Sequence, residues 1–303
     1  EAAILNAEII IESLNKMGLT VFSPSSQDFA AGLDFLLSSE EKSDFPYISA
    51  NIYDSNNELL FKPYIIEQKH GLNVAFIGLS SVFTLEDINV VSPFEALKNI
   101  LDEVVMKSDI RVLLFSSNKN DLKILQETDN LDLSLIIQSK DKSISSNGGP
   151  DIPVYSIGEK GKRLYQFDLE TNKLQMPYID IAWCNSTIDT YKKRLEKMKK
   201  GNMLTDLHVM FKDDPATLKR ILLYESKIEE ANQRLANVEN KITFNKIDVS
   251  RSINGRIDIL QIVDKGKLKI KEITTPDMNL NGKEIKQHKH HPHDHDGDGH
   301  SDH

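Results

Sequence analysis

Two apolar runs limit this chain more than any other feature. "LNVAFIGLS" at 72–80 and "IRVLLFSS" at 110–117 are continuous and bounded by polar loops. Runs of this length and kind are strands buried on both faces. Between them, residues 93–107 carry a helical pattern, with Pro93 at the first helical position and Ser92 as the expected N-cap. Buried strands alternating with helices require an α/β fold.

The rest of the chain extends the pattern. Residues 1–17 read as a helix stopped by Gly18, "LTVFS" as a short buried strand, and 28–40 as a second helix. "YISANIY" and "KPYIIEQ" alternate like strands, and Gly71 turns the chain into 72–80. Residues 120–128 read as a short helix, "LDLSLIIQS" as a strand, and "SISSNGGPDIP" as a loop. "VYSIGEKGKRLYQFDLE" and "LQMPYIDI" read as a closing antiparallel pair, so the sheet is mixed. After Trp183 the composition shifts. Residues 186–200 form a basic helix with Ile188, Tyr191, Leu195 and Met198 as its apolar stripe. From Pro215 a heptad appears: Ile221, Ile228, Leu235 and Ile242 recur every seven residues, with Tyr224, Ala231 and Val238 at the second seam position. Two readings stand: a helical hairpin packed within the chain, or a coiled coil that dimerises or holds a protein partner. Residues 243–272 suggest a strand–helix–strand appendage, and from Pro276 the chain is polar and expected to be unstructured. The expected domains are 1–182, 183–242, 243–275 and a tail, 276–303.

"GLTVFSPSSQDFAAGLDFL", followed by "FPYISANIYDSNNELLFKPYIIEQKHGLNVAFIGLSS", resembles the periplasmic 5′-nucleotidase branch of the calcineurin-like metallophosphoesterases. There a helix and strand lead to G-N-H-E-F-D-x-G, then to a segment like "FPxLSANI…FKPY" and a strand ending "GLT". The resemblance covers about residues 1–170. It implies a four-layer sandwich of two mixed sheets flanked by helices, with two metal ions at the strand ends. Such a pair of ions activates a water and clamps phosphate. Laid on this chain, G-N-H-E falls on Ser25, Ser26, Gln27 and Asp28. The bridging Asn becomes Ser26 and the catalytic His becomes Gln27, which cannot deliver a proton near neutral pH. The next His ligand falls on or beside Ser117, and a G-H-x-H pair falls near "IIQSKDKS". No histidine lies between His70 and His208, so no alignment restores these imidazoles. The first ligands, D-x-H and G-D, would lie upstream of Glu1. Ser26, Gln27 and Ser117 are therefore read as vestigial positions with no catalytic role, and the two-metal site as lost. Asp28 and Asp141 remain isolated acidic candidates.

Seven of the nine histidines lie in "HKHHPHDHDGDGHSDH". His288, His290, His291, His293, His295, His300 and His303, with Asp294, Asp296, Asp298 and Asp302, form a candidate site for Zn, Ni or Cu. Asp294, Asp296 and Asp298 also mimic the first half of a calcium loop, but the closing Glu has no counterpart. Incidental metal binding by a solvated tail and physiological metal capture both remain open. His70 and His208 are isolated.

Net charge −9 argues against a nucleic-acid partner. The single cysteine, Cys184, excludes an intramolecular disulfide framework, and no apolar run reaches the ~18–20 residues of a membrane span. The chain opens at Glu1 inside a helical pattern, so upstream residues are expected, with a lipid anchor among the things they could carry. Three functions follow. The first is a non-catalytic scaffold or binding protein, periplasmic or at the cell surface, that uses its hairpin for partner contacts within a larger assembly. The second is an active 5′-nucleotidase or phosphohydrolase with unusual or upstream ligands. The third is a metal-handling protein acting through its tail.

Overall fold

The structure is a computed structural model that describes residues 1–128, 131–139, 152–157, 161–199, 201, 206–250 and 252–274. The chain divides into two units, Met17–Asn254 and a smaller one of Glu1–Lys16 with Gly255–His303.

The larger unit is built on a five-stranded mixed sheet in the order β2-β3-β5-β6-β7. Its strands are β2 (Tyr64–Lys69), β3 (Leu72–Ser80), β5 (Ile110–Ser116), β6 (Leu135–Gln138) and β7 (Val154–Ser156). β2 runs antiparallel to β3; the other pairs are parallel. The two runs that imposed an α/β fold are adjacent, in the register Val74↔Ile110 to Ser80↔Ser116. Alternation sends their side chains to different cores. Ala75, Ile77, Leu79, Leu113, Phe115, Ile136 and Val154 face helices α3 (Pro93–Lys107) and α4 (Lys119–Glu127), where Leu97, Val104, Leu122 and Leu125 meet them. Ile110, Val112, Leu135 and Tyr155 face the other way. There they pack on a second sheet, β8 (Arg163–Glu170), β10 (Asn240–Asp248) and β9 (Tyr178–Asp180). Behind it lie helices α5 (Ile181–Met198) and α7 (Pro215–Ala236), joined by the short α6 (Leu207–Met210). Ile179 of β9 turns outward to Cys184, Ile188 and Ala231 of that pair. Helix, sheet, sheet, helix: the unit has four layers. A two-stranded ribbon, β1 (Ile52–Asp54) with β4 (Ile88–Val90), completes it.

Several expectations need correction. "LTVFS" is not a strand; it forms one bridge, Phe22 to Tyr47. The helix expected over 28–40 is a 3₁₀ turn, Ser26–Phe29, followed by α2 (Leu33–Glu41), because Gly32 sits at φ +92° between them. Ser92 occupies the N-cap of α3, but its side chain makes no capping bond. "LQMPYIDI" is not the antiparallel partner of β8. That partner is β10, paired from Arg163↔Asp248 to Glu170↔Lys241, while β9 lies parallel to β10 on its other side. Arg163–Asp248 and Lys241–Glu170 ion pairs close the two ends of the long ladder. Ile242 is thus a strand residue of the inter-sheet core, not the fourth heptad position. The heptad ends with α7, whose Ile228 and Leu235 pack against the Trp183–Ile188 side of α5.

In the smaller unit, α1 (Ala2–Met17) and α8 (Ile257–Thr274) run antiparallel: Ile9 lies over Gly266, and Arg256 donates to the Lys16 carbonyl (3.2 Å). A Cβ on Gly266 would sit 2.2 Å from Ile9 Cδ1, so glycine permits the close approach. Residues 1–16 therefore group with 255–274 and not with the α/β unit as expected, and 243–272 is not a strand–helix–strand appendage: its strand is the centre of the second sheet, and the described residues after it hold one helix. Among the described residues, no helix is long and apolar enough to cross a membrane.

Candidate functional site

Strands β3, β5, β6 and β7 are parallel and end along one edge. Ligand sites of open α/β sheets lie at this end. The residues that end these strands are neutral. Ser80 and Ser81 end β3, Ser116 and Ser117 end β5, Gln138 and Ser139 end β6, and Ser156 ends β7. Ser116 and Ser139 hydroxyls are 3.1 Å apart. Ser81 donates to the Asp121 carboxylate and accepts from the Asn118 backbone N–H at 2.9 Å. Asn118 caps α4 by accepting from Asp121 N–H (2.9 Å), and its own amide donates to Asp121 Oδ2 (3.0 Å).

The segment "SPSSQDF" enters this edge beside β3. A Cβ on Gly78 would lie 2.8 Å from Ser23 Oγ. Asp28 Oδ2 accepts from the Ser25 backbone N–H (2.8 Å) and from Ser25 Oγ (3.2 Å), closing the 3₁₀ turn. Burial pushes the Asp28 carboxyl above the usual carboxylate range, and the Ser25 bonds oppose that rise. Asp28 thus serves its own turn. Ser26 and Gln27 are exposed, whereas Ser117 is buried. The structure does not gather the three into one buried cluster.

Residues at this edge that the sequence did not single out are Asn51 and Gln138. Asn51, fully buried, donates to the carbonyls of Ser80 (2.7 Å) and Val91 (2.9 Å) and accepts from Ser80 N–H (3.0 Å). It locks the end of β3 to the ribbon. Its signal was the "SAN" token itself, an asparagine inside a strand-like run. Gln138 is fully buried, and neither its Oε1 nor its Nε2 has a hydrogen-bond partner among the described residues; Ser117 and Ser156 hydroxyls share that condition.

These groups do not fit two divalent ions. Such a centre needs carboxylates and imidazoles, and among the described residues no group of three or more His, Cys, Asp or Glu could hold a metal ion. The tail candidates, His288 to His303, and Asp141 lie outside the described residues. His208 meets Glu225 at 3.0 Å on the surface. His70 stands at φ 51° in the turn between β2 and β3.

A cleft lies elsewhere, at the start of β5. It is about 240 Å³ and is lined in part by Arg111, Asp132, Tyr178 and Asn240. The buried Arg111 donates to the Asp132 carbonyl (2.7 Å), the Ser108 carbonyl (2.9 Å) and the Asp132 carboxylate. Asn240 accepts from Asn172 and Lys173 N–H and donates to the Lys173 and Met176 carbonyls. Both tie chain segments together, so the cleft wall is structural.

This four-layer arrangement is the fold of the calcineurin-like phosphoesterases. It superposes on the crystal structure of calcineurin-like phosphoesterase YfkN from Bacillus subtilis with a TM-score of 0.57 at 15% identity, over 89% of this chain and 77% of that one. Within that class, the sequence is similar to the 5′-nucleotidase branch. It is 30% identical over 116 residues to a 5′-nucleotidase of Vibrio cholerae, covering 35% of this chain and 21% of that protein. It is 28% identical over 127 residues to Protein UshA of Salmonella pullorum, covering 39% and 23%. The matches thus span about a fifth of these relatives' length. No model of a protein family matches the chain.

Proposed function

We propose that this 5′-nucleotidase-like chain is a non-catalytic metallophosphoesterase-fold protein, a scaffold or binding module outside the cytoplasm, in the periplasm or on the cell surface, with a metal-binding C-terminal tail. One observation carries the reading: the described strand ends present serine and glutamine where a two-metal centre needs anionic and imidazole ligands. Without the ions there is neither an activated water nor a clamp for the developing charge. The tail supplies imidazole and carboxylate for Zn, Ni or Cu. The active-phosphohydrolase reading is favoured by the relatives' name, 5′-nucleotidase. The full chain, supplied with Mn, Co or Zn, should not hydrolyse AMP, UDP-sugars or p-nitrophenyl phosphate. Metal-dependent turnover near ~1 s⁻¹, a low-end enzyme rate, that persists after removal of residues 288–303 would overturn the proposal.

A further inference from the structure

We propose that the cleft at the start of β5 binds a small organic cation, a protonated amine on a short apolar stem. The inference goes beyond the reading above and does not depend on it. The cleft lies at the opposite end of β5 from the edge where Ser116 and Ser117 stand.

The walls are formed in advance. Asn240, buried in the central strand of the second sheet, grips the 172–176 turn with four hydrogen bonds. It accepts from Asn172 and Lys173 N–H (2.9 and 3.0 Å) and donates to the Lys173 and Met176 carbonyls (2.8 and 2.7 Å). Within that turn Gln175 sits at φ 68°, a left-handed conformation that a residue other than glycine seldom adopts, and it lines the cleft. Backbone strain of this kind collects at ligand sites. Arg111 fixes another part of the wall by spending three N–H groups on Ser108 and Asp132. A ligand would therefore have little left to order.

The polar groups select the charge. Asp132 meets the Arg111 guanidinium through one oxygen, and Asp109 accepts the Asn73 N–H through one oxygen (2.8 Å). The second oxygen of each carboxylate has no hydrogen-bond partner among the described residues. The Thr171 and Tyr178 hydroxyls, 2.6 Å apart, add further lone pairs. Burial pushes the Tyr178 hydroxyl above the usual tyrosine value, so it stays neutral near neutral pH. α4 ends at the cleft, where Gln126 and Thr128 line it, and the carbonyls of a last helical turn carry partial negative charge that favours cations. Asp109, Asp132 and Arg111 together leave one net negative charge. An ammonium group brings three donors and no acceptor, which suits this set.

The apolar groups select the stem. Leu131, Ile152, Leu174 and Met176 give the cleft hydrocarbon walls that a bare metal ion cannot use. Among the described residues, moreover, no group of three or more His, Cys, Asp or Glu could hold a metal. At about 240 Å³ the cleft is smaller than the ~300–1,000 Å³ of common ligand pockets, so the stem is short.

Calorimetric titration of the full chain with n-pentylamine near neutral pH, beside pentanol, pentanoate and ammonium chloride, tests this. Saturable binding of pentylamine is expected. Each of the other three should bind at least about tenfold more weakly, the equivalent of ~1.4 kcal/mol, because it lacks the charge or the stem. Asp109→Asn removes a charge but keeps an acceptor for the Asn73 N–H, and should weaken pentylamine by a similar factor. Leu174→Arg puts a cation in the cleft lining and should abolish binding. Leu174 is exposed, so this variant reports on the site even if Asp109→Asn fails to fold. Absence of saturable binding, equal binding of pentanol, tighter binding of pentanoate, or binding unchanged in both variants would overturn the proposal.

Discussion

Gly78 has no room for a side chain. A Cβ there would lie 2.2 Å from the Ile48 carbonyl oxygen, a backbone atom that cannot step aside alone. The neighbouring residues explain why. Ala50 N–H donates to the Gly78 carbonyl (2.8 Å), Ser49 N–H to that of Lys62 (2.9 Å), and Asn51 clasps the end of the strand. "SAN", "FKPY" and "IGL", the tokens that carried the family resemblance, are thus one knot of backbone contacts beside the strand-end edge. They hold the loops in place whether or not metals are bound, so a chain can keep them while its ligands change. Gly78→Ala should lower stability by at least ~1–3 kcal/mol, the usual cost of forcing atoms into a packed interior. Urea unfolding measures it, and an unchanged midpoint would mean that Ile48 does not approach so closely.

The apolar stripe of α7 is internal at the scale of elements. Ile221 and Ala231 are buried, and Ile228 and Leu235 pack toward α5. Tyr191 and Tyr224 meet across the pair at 5.3 Å, with Arg194 over both rings. Ile221→Ala should cost ~2–5 kcal/mol, as truncations in packed cores do. A thermal melt that matches the parent protein would instead place the residue on a surface used by a partner. The same pair marks the limit of what the sequence disclosed. β3, β5 and α3 were legible because continuous apolar runs and a proline start are local signals. β10 was not. Only its first part is buried, and Ile242 falls seven residues after Leu235, which extends a helical count by coincidence. Its identity as a strand comes from pairing with residues some seventy to eighty positions earlier, which no local window contains. At the site, the serine and glutamine identities were readable, but the burial of Ser117 and Gln138 comes from tertiary packing and was not.

At the scale of the whole molecule, the proposed metal binding of residues 288–303 is open to a truncation test. Imidazoles in water titrate near pH ~6.5, and a metal must displace their protons. Zn binding by the full chain should therefore be strong above neutral pH, weak near pH ~5, and lost in a chain ending at Gln287, with Cu and Ni favoured over Ca and Mg. Calorimetry on the two chains decides it: if the shorter one binds Zn equally well, the metal sits in the folded units. The α/β unit has a different dependence on the order of the chain. β8 and β9 flank a strand that follows both in sequence, and Phe244 on that strand joins the rings of Tyr155 and Phe167. On the ribosome, a nascent chain that has emerged as far as Ala236 holds two edges with no centre. The second sheet must wait for residues 240–248, and until they emerge its aromatic face is open to chaperones and to neighbouring chains.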